Sequence, residues 1–447
     1  MKKMDWEKLV SITRLGREED KDQASDDIRT EYMRDWDRLV YSSAFRRLQG
    51  KTQVFPLSGN DYVRTRLTHS IEVSSVGRSL GMLCGRFISQ QEPGLSVDAR
   101  DIASIVSAAC LAHDIGNPPF GHSGEAAIQS WFKKNEEQYL SGLNSCQRND
   151  FLRFEGNAQG FRLITRLQGV HRGGLQLTYA VLAAFGKYPR PSQFPKSEKI
   201  SEKKFDYCAD DVDTFRKVAE GVGLISKDGA AYCRHPLAFL MEAADDICYR
   251  IVDLEDGHRL GRIQFEKARE LLWTIAFPPC KAERNSYKEI DDKDEKIAYL
   301  RAKAIDNLIK AVVDVFKKHY EAIMSGNFEE ELVKKCKFVS EFDAIKKISQ
   351  SDIYTTPAVL QIEVAGFGIL GGLLDKIVPA LLAPEDSRTE EQKKIAALVP
   401  EKCKLKDKTA YQRLLGATDY ISGMTDTFAL SLFRRLHGIE LPGGINP

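Results

Sequence analysis

What this chain lacks narrows its class before any motif is considered. Nine cysteines are scattered over 447 residues with no Cys-x-x-Cys pair. An odd, unspaced set points to reduced thiols in a cytoplasmic protein, not to a disulfide framework. Neither sign of charge dominates: 65 Lys and Arg oppose 64 Asp and Glu, a net charge of +1. No global field draws the chain to nucleic acid or a membrane, so an anionic ligand must be held by local basic residues. No apolar run approaches the roughly 20 residues of a membrane span. The opening MKKMDWEKLVSITRLGREED has no signal-peptide core. A P-loop is missing too, which disfavours γ-phosphate chemistry of that type. Strand signals are few and short, and there is no internal repeat or low-complexity tract.

What remains is helical periodicity. Ile102, Ile105, Val106, Ala109 and Cys110 recur at helix spacing, and His113 continues their stripe. Val73, Val76, Leu80, Leu83 and Phe87 follow His69 with the same period. Leu237, Leu240, Met241, Ala244 and Cys248 form a third stripe. Residues 187–204 carry Pro189, Pro191 and Pro195 among charges and predict an irregular loop. Residues 281–300, rich in charge, predict a solvated helix with its lead-in. Near 325–350 the chain turns Lys/Glu-rich, a soft boundary before the apolar VAGFGILGGLLDKIVPALL. The fold class expected is all-α.

The most informative run is LAHDIGNPPFGHSGE, Leu111–Glu125. Adjacent His113 and Asp114 end an apolar stripe, where imidazole and carboxylate are costly unless paired or metal-bound. A Gly-Pro break follows, then His122 and Glu125, a candidate catalytic pair. A metal needs at least a third protein ligand, and His69 stands on an apolar-backed helix upstream. The fourth candidate lies in EAADDICYRIVDLEDG, where Asp245 and Asp246 occupy a largely apolar helix. Helix geometry sets Asp245, Tyr249 and Asp253 on one face and turns Asp246 toward Arg250. Such a set leaves coordination positions open, the condition for catalysis. Arg46, Arg47 and Lys51 suit a solvated face. Ser201 and Lys204 match an SxxK pattern, and their Lys-rich, Pro-flanked context argues against a nucleophile.

Longer strings carry a family resemblance over nearly the whole chain. They are RDWDRLVYSSAFRRLQGKTQVFPL (34–57), RTRLTHSIEV (64–73), LAHDIGNPPFGHSGE (111–125), RFEGNAQGFR (153–162) and HPLAFLMEAADDICYRIVDLEDG (235–257). VAGFGILGGLLD (364–375) and ATDYISGMTDTFAL (417–430) complete them. The chain resembles the deoxyguanosine triphosphate triphosphohydrolase (dGTPase) family of the HD-domain superfamily. The resemblance implies an HD-domain helical core with an additional C-terminal helical region. Its expected segments are 1–60, contributing to the active site; 61–275, the catalytic core; and 276–447, for oligomerisation and completion of the nucleotide pocket.

The resemblance also implies roles. His69, His113, Asp114 and Asp245 would bind one divalent metal, Mn or Mg favoured among Mn, Mg, Fe and Ni. His122 would act in the chemistry, oriented by Glu125. Tyr249 would pack on the sugar, and Gln53 and Asp253 would hold its 3′-hydroxyl. Arg66 and Lys187 would meet phosphates, with Tyr188 and Asn157 as pocket neighbours. Some relatives have a histidine where this chain has Asn117, so a two-histidine acid/base scheme is not implied here. The activity implied is hydrolysis of dGTP to deoxyguanosine and triphosphate by a cytoplasmic homo-oligomer, a hexamer favoured, with single-stranded DNA a possible partner and no membrane. The alternatives are a broader dNTP triphosphohydrolase activated by a second nucleotide, and a nucleotide-sensing or single-stranded-DNA-binding protein with a weak or inactive HD site.

Overall fold

The computed structural model describes residues 3–19, 28–53, 64–169, 173–194, 197–227, 229–278, 285–404 and 409–440. Val54–Leu57, Pro195 and 281–284 of the segments discussed above lie outside the described residues. The principal helices are α1 (Glu31–Val40), α2 (Arg66–Gln91), α3 (Ala99–Ala112), α4 (Gly121–Lys134), α5 (Gly156–Arg162), α6 (Ala238–Arg259), α7 (Phe265–Ala276), α8 (Lys293–Lys318), α9 (Pro357–Leu382), α10 (Glu390–Leu398), α11 (Ala410–Ser422) and α12 (Asp426–Leu436). Among the described residues the only β pairing is isolated bridges, such as Thr52 with Thr65. The all-α expectation holds.

The helix starts are written in the sequence. Thr65 caps α2 and forms a capping box with Thr68, and Asp98 does the same for α3 with Asp101. Between these helices the spacing is set by glycine. A Cβ on Gly81 would lie 2.7 Å from the Ala103 Cα, and one on Gly85 would lie 2.8 Å from the Ala99 Cα. The two backbones therefore touch, and a side chain at either position would prise the pair apart, a cost of about 1–3 kcal/mol for overpacking. This antiparallel pair brings the start of α2, with His69, against the end of α3, with His113. The two imidazole centroids are 5.3 Å apart.

Two apolar cores share the chain. The first joins α2, α3, α6, α7 and α8 through Val73, Leu80, Ile105, Met241, Ile251, Leu272 and Leu308. The charged face of α8 is solvated as expected, while Ile297, Leu300, Ala304 and Leu308 are buried. The second core joins α4 to α9, α11 and α12 through Ile128, Phe132, Leu370, Leu374 and Leu414. The Trp131 indole donates to Asp375 Oδ1 at 2.7 Å, tying α4 to α9. One expectation fails on α9: Val359–Leu382 is long and apolar enough to cross a membrane by length and composition. Its charges are confined to Glu363 and the adjacent pair Asp375 and Lys376, which leaves the run apolar, and half of its most apolar window is buried in the fold. The eight described cysteines are all unpaired.

His235 anchors the entry to α6. Leu237 N–H donates to its Nδ1 at 3.1 Å, so Nε2 carries the proton and donates to the Leu9 carbonyl at 3.0 Å. Burial pushes its pKa down from 6.5 to about 4, since a second proton would face the Leu237 amide. The folded chain thus binds fewer protons than the unfolded one. The stabilisation is full above pH 6.5 and is lost as pH falls toward 4, on the order of 3 kcal/mol. Urea unfolding at pH 7 and pH 4.5 is the check. His235→Asn, which does not titrate, is expected to be less stable than the native chain at pH 7 and to lose most of that difference at pH 4.5.

Candidate functional site

The charged residues named from the sequence converge where α2, α3 and α6 meet. His69, His113 and Asp114 each offer a ligand atom, and these atoms all lie within 4.8 Å of one another. Asp245 Oδ1 lies 3.2 Å from His69 Nε2 and 3.5 Å from His113 Nε2. The His113 Nδ1–H donates to the Cys110 carbonyl at 2.7 Å, which aims the Nε2 lone pair into the cluster. That Nε2 is buried without a hydrogen-bond partner. An orphaned imidazole nitrogen beside two carboxylates fits a divalent cation, and His69, His113, Asp114 and Asp245 are the residues that would hold it.

Each carboxylate has its own cation. Arg66 Nη1 donates to Asp114 Oδ2 at 2.7 Å, and Lys187 Nζ donates to Asp245 Oδ2 at 2.8 Å. Burial disfavours ionised Asp114, yet Arg66 above all, with His113 and His69, holds its carboxyl well below the usual range. Burial likewise opposes ionised Asp245, and Lys187 and then His113 outweigh it. Asn117 donates to Asp114 Oδ1 at 2.5 Å and so orients that carboxylate. Asp246 turns away as the helix register requires and lies 3.5 Å from Arg250, its pKa pushed up to about 7 by burial.

His122 and Glu125 occupy the first turn of α4. Phe120 before it has φ +64°, a left-handed conformation unusual for an aromatic residue. It is held by its amide, which donates to Asp426 Oδ1 at 3.0 Å. His122 Nδ1–H donates to Glu125 Oε2 at 2.8 Å, leaving Nε2 free on a side chain 79% exposed. Glu125 is buried and its Oε1 accepts the Gly156 amide at 2.7 Å. Lys204 adds a second cation: its Nζ is 2.8 Å from Glu155 Oε2 and 3.9 Å from Glu125 Oε2. Burial disfavours ionised Glu125, but the His122 bond and the Lys204 charge hold it ionised. Burial and the charge of Glu125 push Glu155 up to about 7.

A cavity of about 290 Å³ opens on these groups, lined by Gln53, Arg66, Asp114, His122, Asp245 and Tyr249 among others. Tyr249 stacks on Tyr354, ring centroids 5.7 Å apart. The Tyr354 hydroxyl donates to Asp253 Oδ2 at 2.5 Å, and burial keeps Asp253 well above the ordinary carboxyl range. Gln53 Oε1 is buried without a partner. The Tyr188 amide donates to Asp206 Oδ2 at 2.6 Å, and the Arg234 guanidinium lies over its ring at 5.6 Å. Asn157 follows Gly156, whose amide meets Glu125, at the start of α5.

Sequence reasoning missed several residues. Tyr354, Val359 and Glu363 line the same cavity from the C-terminal region. Glu363, a carboxylate within an apolar helix, was a usable signal; Tyr354 offered none. Lys204 sits in the SxxK match set aside as chance. Lys51, expected on a solvated face, is buried, and its Nζ donates to the Asn117 carbonyl at 2.5 Å and the Ser422 carbonyl at 2.7 Å. Arg47 is half-buried, while Arg46 is exposed as expected.

Comparison with known proteins follows the same outline. Residues 66–148 match the HD domain, and residues 332–435 match the phosphohydrolase-associated domain. A deoxyguanosinetriphosphate triphosphohydrolase-like protein of Synechocystis sp. is 45% identical, over 98% of this chain and 100% of the relative. One from Pseudomonas aeruginosa is 36% identical over the same shares. A deoxyguanosinetriphosphate triphosphohydrolase of Klebsiella pneumoniae is 31% identical, again over 98% of this chain and 100% of the relative.

The two neighbouring aspartates separate ligand from structural roles. Asp245→Asn is expected to weaken divalent-metal binding by about tenfold or more. Asp246→Asn is expected to leave metal content intact and to alter mainly stability. Elemental analysis of the purified chains, beside their melting temperatures, measures both. Metal lost from the Asp246 variant and kept by the Asp245 variant would move the ligand assignment by one residue.

Proposed function

Because the chain belongs to the deoxyguanosinetriphosphate triphosphohydrolase family of HD-domain phosphohydrolases, we propose that it hydrolyses dGTP to deoxyguanosine and inorganic triphosphate. The observation that carries this reading is a single cavity lined by Asp114 and Asp245 of the candidate metal set, by His122, and by the stacked Tyr249 and Tyr354. A divalent ion bound to the four ligands would polarise the α-phosphate and lower the pKa of water.

The chain's own groups do the rest. Water attacks the α-phosphorus and the bond to the 5′-oxygen breaks, so water loses a proton and the leaving oxygen gains one. His122, with Nδ1 committed to Glu125 and Nε2 free, is the group placed to carry that proton. Glu125 and Lys204 set the charge around it. Arg66 and Lys187 gather positive charge beside the phosphate path, although each is also paired with a metal-binding aspartate. Tyr249 and Tyr354 offer an aromatic wall to the sugar, with Asp253 fixing the Tyr354 hydroxyl, and Gln53 Oε1 is an unpartnered acceptor for the sugar hydroxyl. Glu363 on the cavity wall is in keeping with guanine as the base. Glu363 is an acceptor-only carboxylate when ionised, and guanine is the base with two adjacent donors on its pairing edge. A homo-oligomer fits the same reading, since Leu360, Val364 and Phe367 leave an apolar stripe exposed on α9.

Chromatography of the products from each dNTP with Mn²⁺ or Mg²⁺ tests the assignment. Deoxyguanosine and triphosphate in equal amounts are expected; dGMP with pyrophosphate, or dGDP with phosphate, would refute it. His122→Ala is expected to keep its metal and lose about 10²-fold or more in turnover. Full activity in that variant would remove His122 from the chemistry.

A further inference from the structure

A second cavity, about 310 Å³ in volume, is lined in part by Gly423, Met424 and Thr425, next in sequence to the Asp426 that bonds Thr52 and Phe120 of the first. Its lining is mostly apolar: Leu163, Leu167, Tyr420, Met424 and Phe428, with Arg47 reaching in. Arg47 has no carboxylate within 4 Å among the described residues; its Nη1 bonds the Ser43 hydroxyl at 3.3 Å. Lys402 also borders the space. The one carboxylate there, Asp419, is already committed, accepting from Arg162 Nε at 2.8 Å and Gln159 at 2.9 Å. A half-buried guanidinium without a counter-charge is costly, and burial depresses its pKa. An aromatic and aliphatic wall facing one free cation is complementary to an organic anion with a flat apolar body.

The floor of this cavity is also the clamp of the catalytic one. Gly423, Met424 and Thr425 line it, and the next residue is Asp426. Asp426 is buried, and its Oδ2 accepts the Thr52 amide at 3.0 Å and the Thr52 hydroxyl at 2.7 Å. Its Oδ1 accepts the Phe120 amide, so one carboxylate holds both Thr52–Gln53 and the left-handed residue that aims α4. Lys51 repeats the tie, bridging the carbonyls of Ser422 and Asn117. Gly50 leaves no slack, as a Cβ there would lie 2.8 Å from Thr425 Cγ2. Whatever packs against Met424 and Phe428 presses on the turn that fixes two walls of the active cavity.

We propose that this second cavity is a regulatory site for a small aromatic anion, one or two rings bearing a carboxylate, sulfonate or single phosphate, and that its occupancy braces the 422–426 turn and through Asp426 the catalytic cavity. Arg47 takes the anionic group, and Tyr420, Met424 and Phe428 take the rings. Occupancy favours the arrangement in which Asp426 holds Thr52 and Phe120, so the bound and free forms differ in that equilibrium. The activity part of the inference rests on the hydrolase reading above; the binding part does not.

Anilinonaphthalene sulfonate, a fluorescent aromatic anion, is the probe, titrated into the full chain. One saturable site is expected, weakened about tenfold (1.4 kcal/mol) in Arg47→Met. Leu167→Trp, which fills the cavity and spares the guanidinium, is expected to weaken it similarly. Val364→Ser, on the exposed α9 stripe, is expected to leave binding unchanged. Hydrogen exchange reports coupling without turnover: saturating probe should slow exchange of the Thr52 and Phe120 amides in the native chain and not in Arg47→Met. Where nucleotide is hydrolysed, kcat/KM should change about threefold or more with probe in the native chain alone. Binding lost with Val364→Ser but kept by Arg47→Met and Leu167→Trp would overturn the site. Displacement by dGTP in simple competition would do the same. Binding with unaltered exchange at Thr52 and Phe120 would overturn the coupling. An inactive chain that passes the binding and exchange tests would count against the proposed hydrolysis and leave this inference standing.

Discussion

The site depends on keeping two carboxylates ionised where water is scarce. Asp114 and Asp245 are each sunk among apolar helices, and each would take up a proton if left alone. Arg66 and Lys187 prevent this, one cation per carboxylate, with two imidazoles between the pairs. The charges of the four side chains cancel, so the cluster is tolerable in a low-dielectric setting and still offers anionic oxygens. Removing one cation would leave an uncompensated buried charge. For that reason Arg66 and Lys187 belong to the architecture of the site as much as to any contact with substrate.

Neutral packing sets where those charges can meet. The glycines of α2 let α3 approach to backbone distance, and the 3.6-residue repeat then fixes His69 opposite His113. On α6 the same repeat separates Asp245 from Asp246 by about 100°, enough to give one aspartate to the cluster and the other to Arg250. On α4 the offset of three residues between His122 and Glu125 places imidazole and carboxylate on one face within hydrogen-bond reach.

The parts legible in the sequence were those encoded by local spacing. Helical stripes, the His113-Asp114 pair, the His122–Glu125 offset and the register of Asp245 are all short-range, and the folded chain keeps them. The parts that were not legible depend on distant segments. Tyr354 stands on an irregular turn and meets Tyr249 more than a hundred positions earlier in the chain, with no periodicity to announce it. Asp426 looks like an ordinary first-turn acidic residue, and only the fold brings Thr52 and Phe120 to it. Lys51 was misjudged because a lysine near other basic residues reads as solvated, and nothing local shows that a pair of carbonyls waits for it. The span-like apolarity of α9 was not read because its few charges interrupt the run without making it polar.

The division of the molecule into two cores has a consequence for how it fails. The residues that would hold a metal belong to helices packed in the first core, whereas His122 and Glu125 ride on α4, whose apolar face is built into the second. Holding an ion and performing the reaction are therefore secured by different packing. Damage to the second core, by heat, truncation or a poorly tolerated substitution, would disable the chemistry while the ion stays bound. With the roles proposed above, a preparation would be able to carry its full complement of metal and still be largely dead, and metal stoichiometry would be a poor measure of its active fraction.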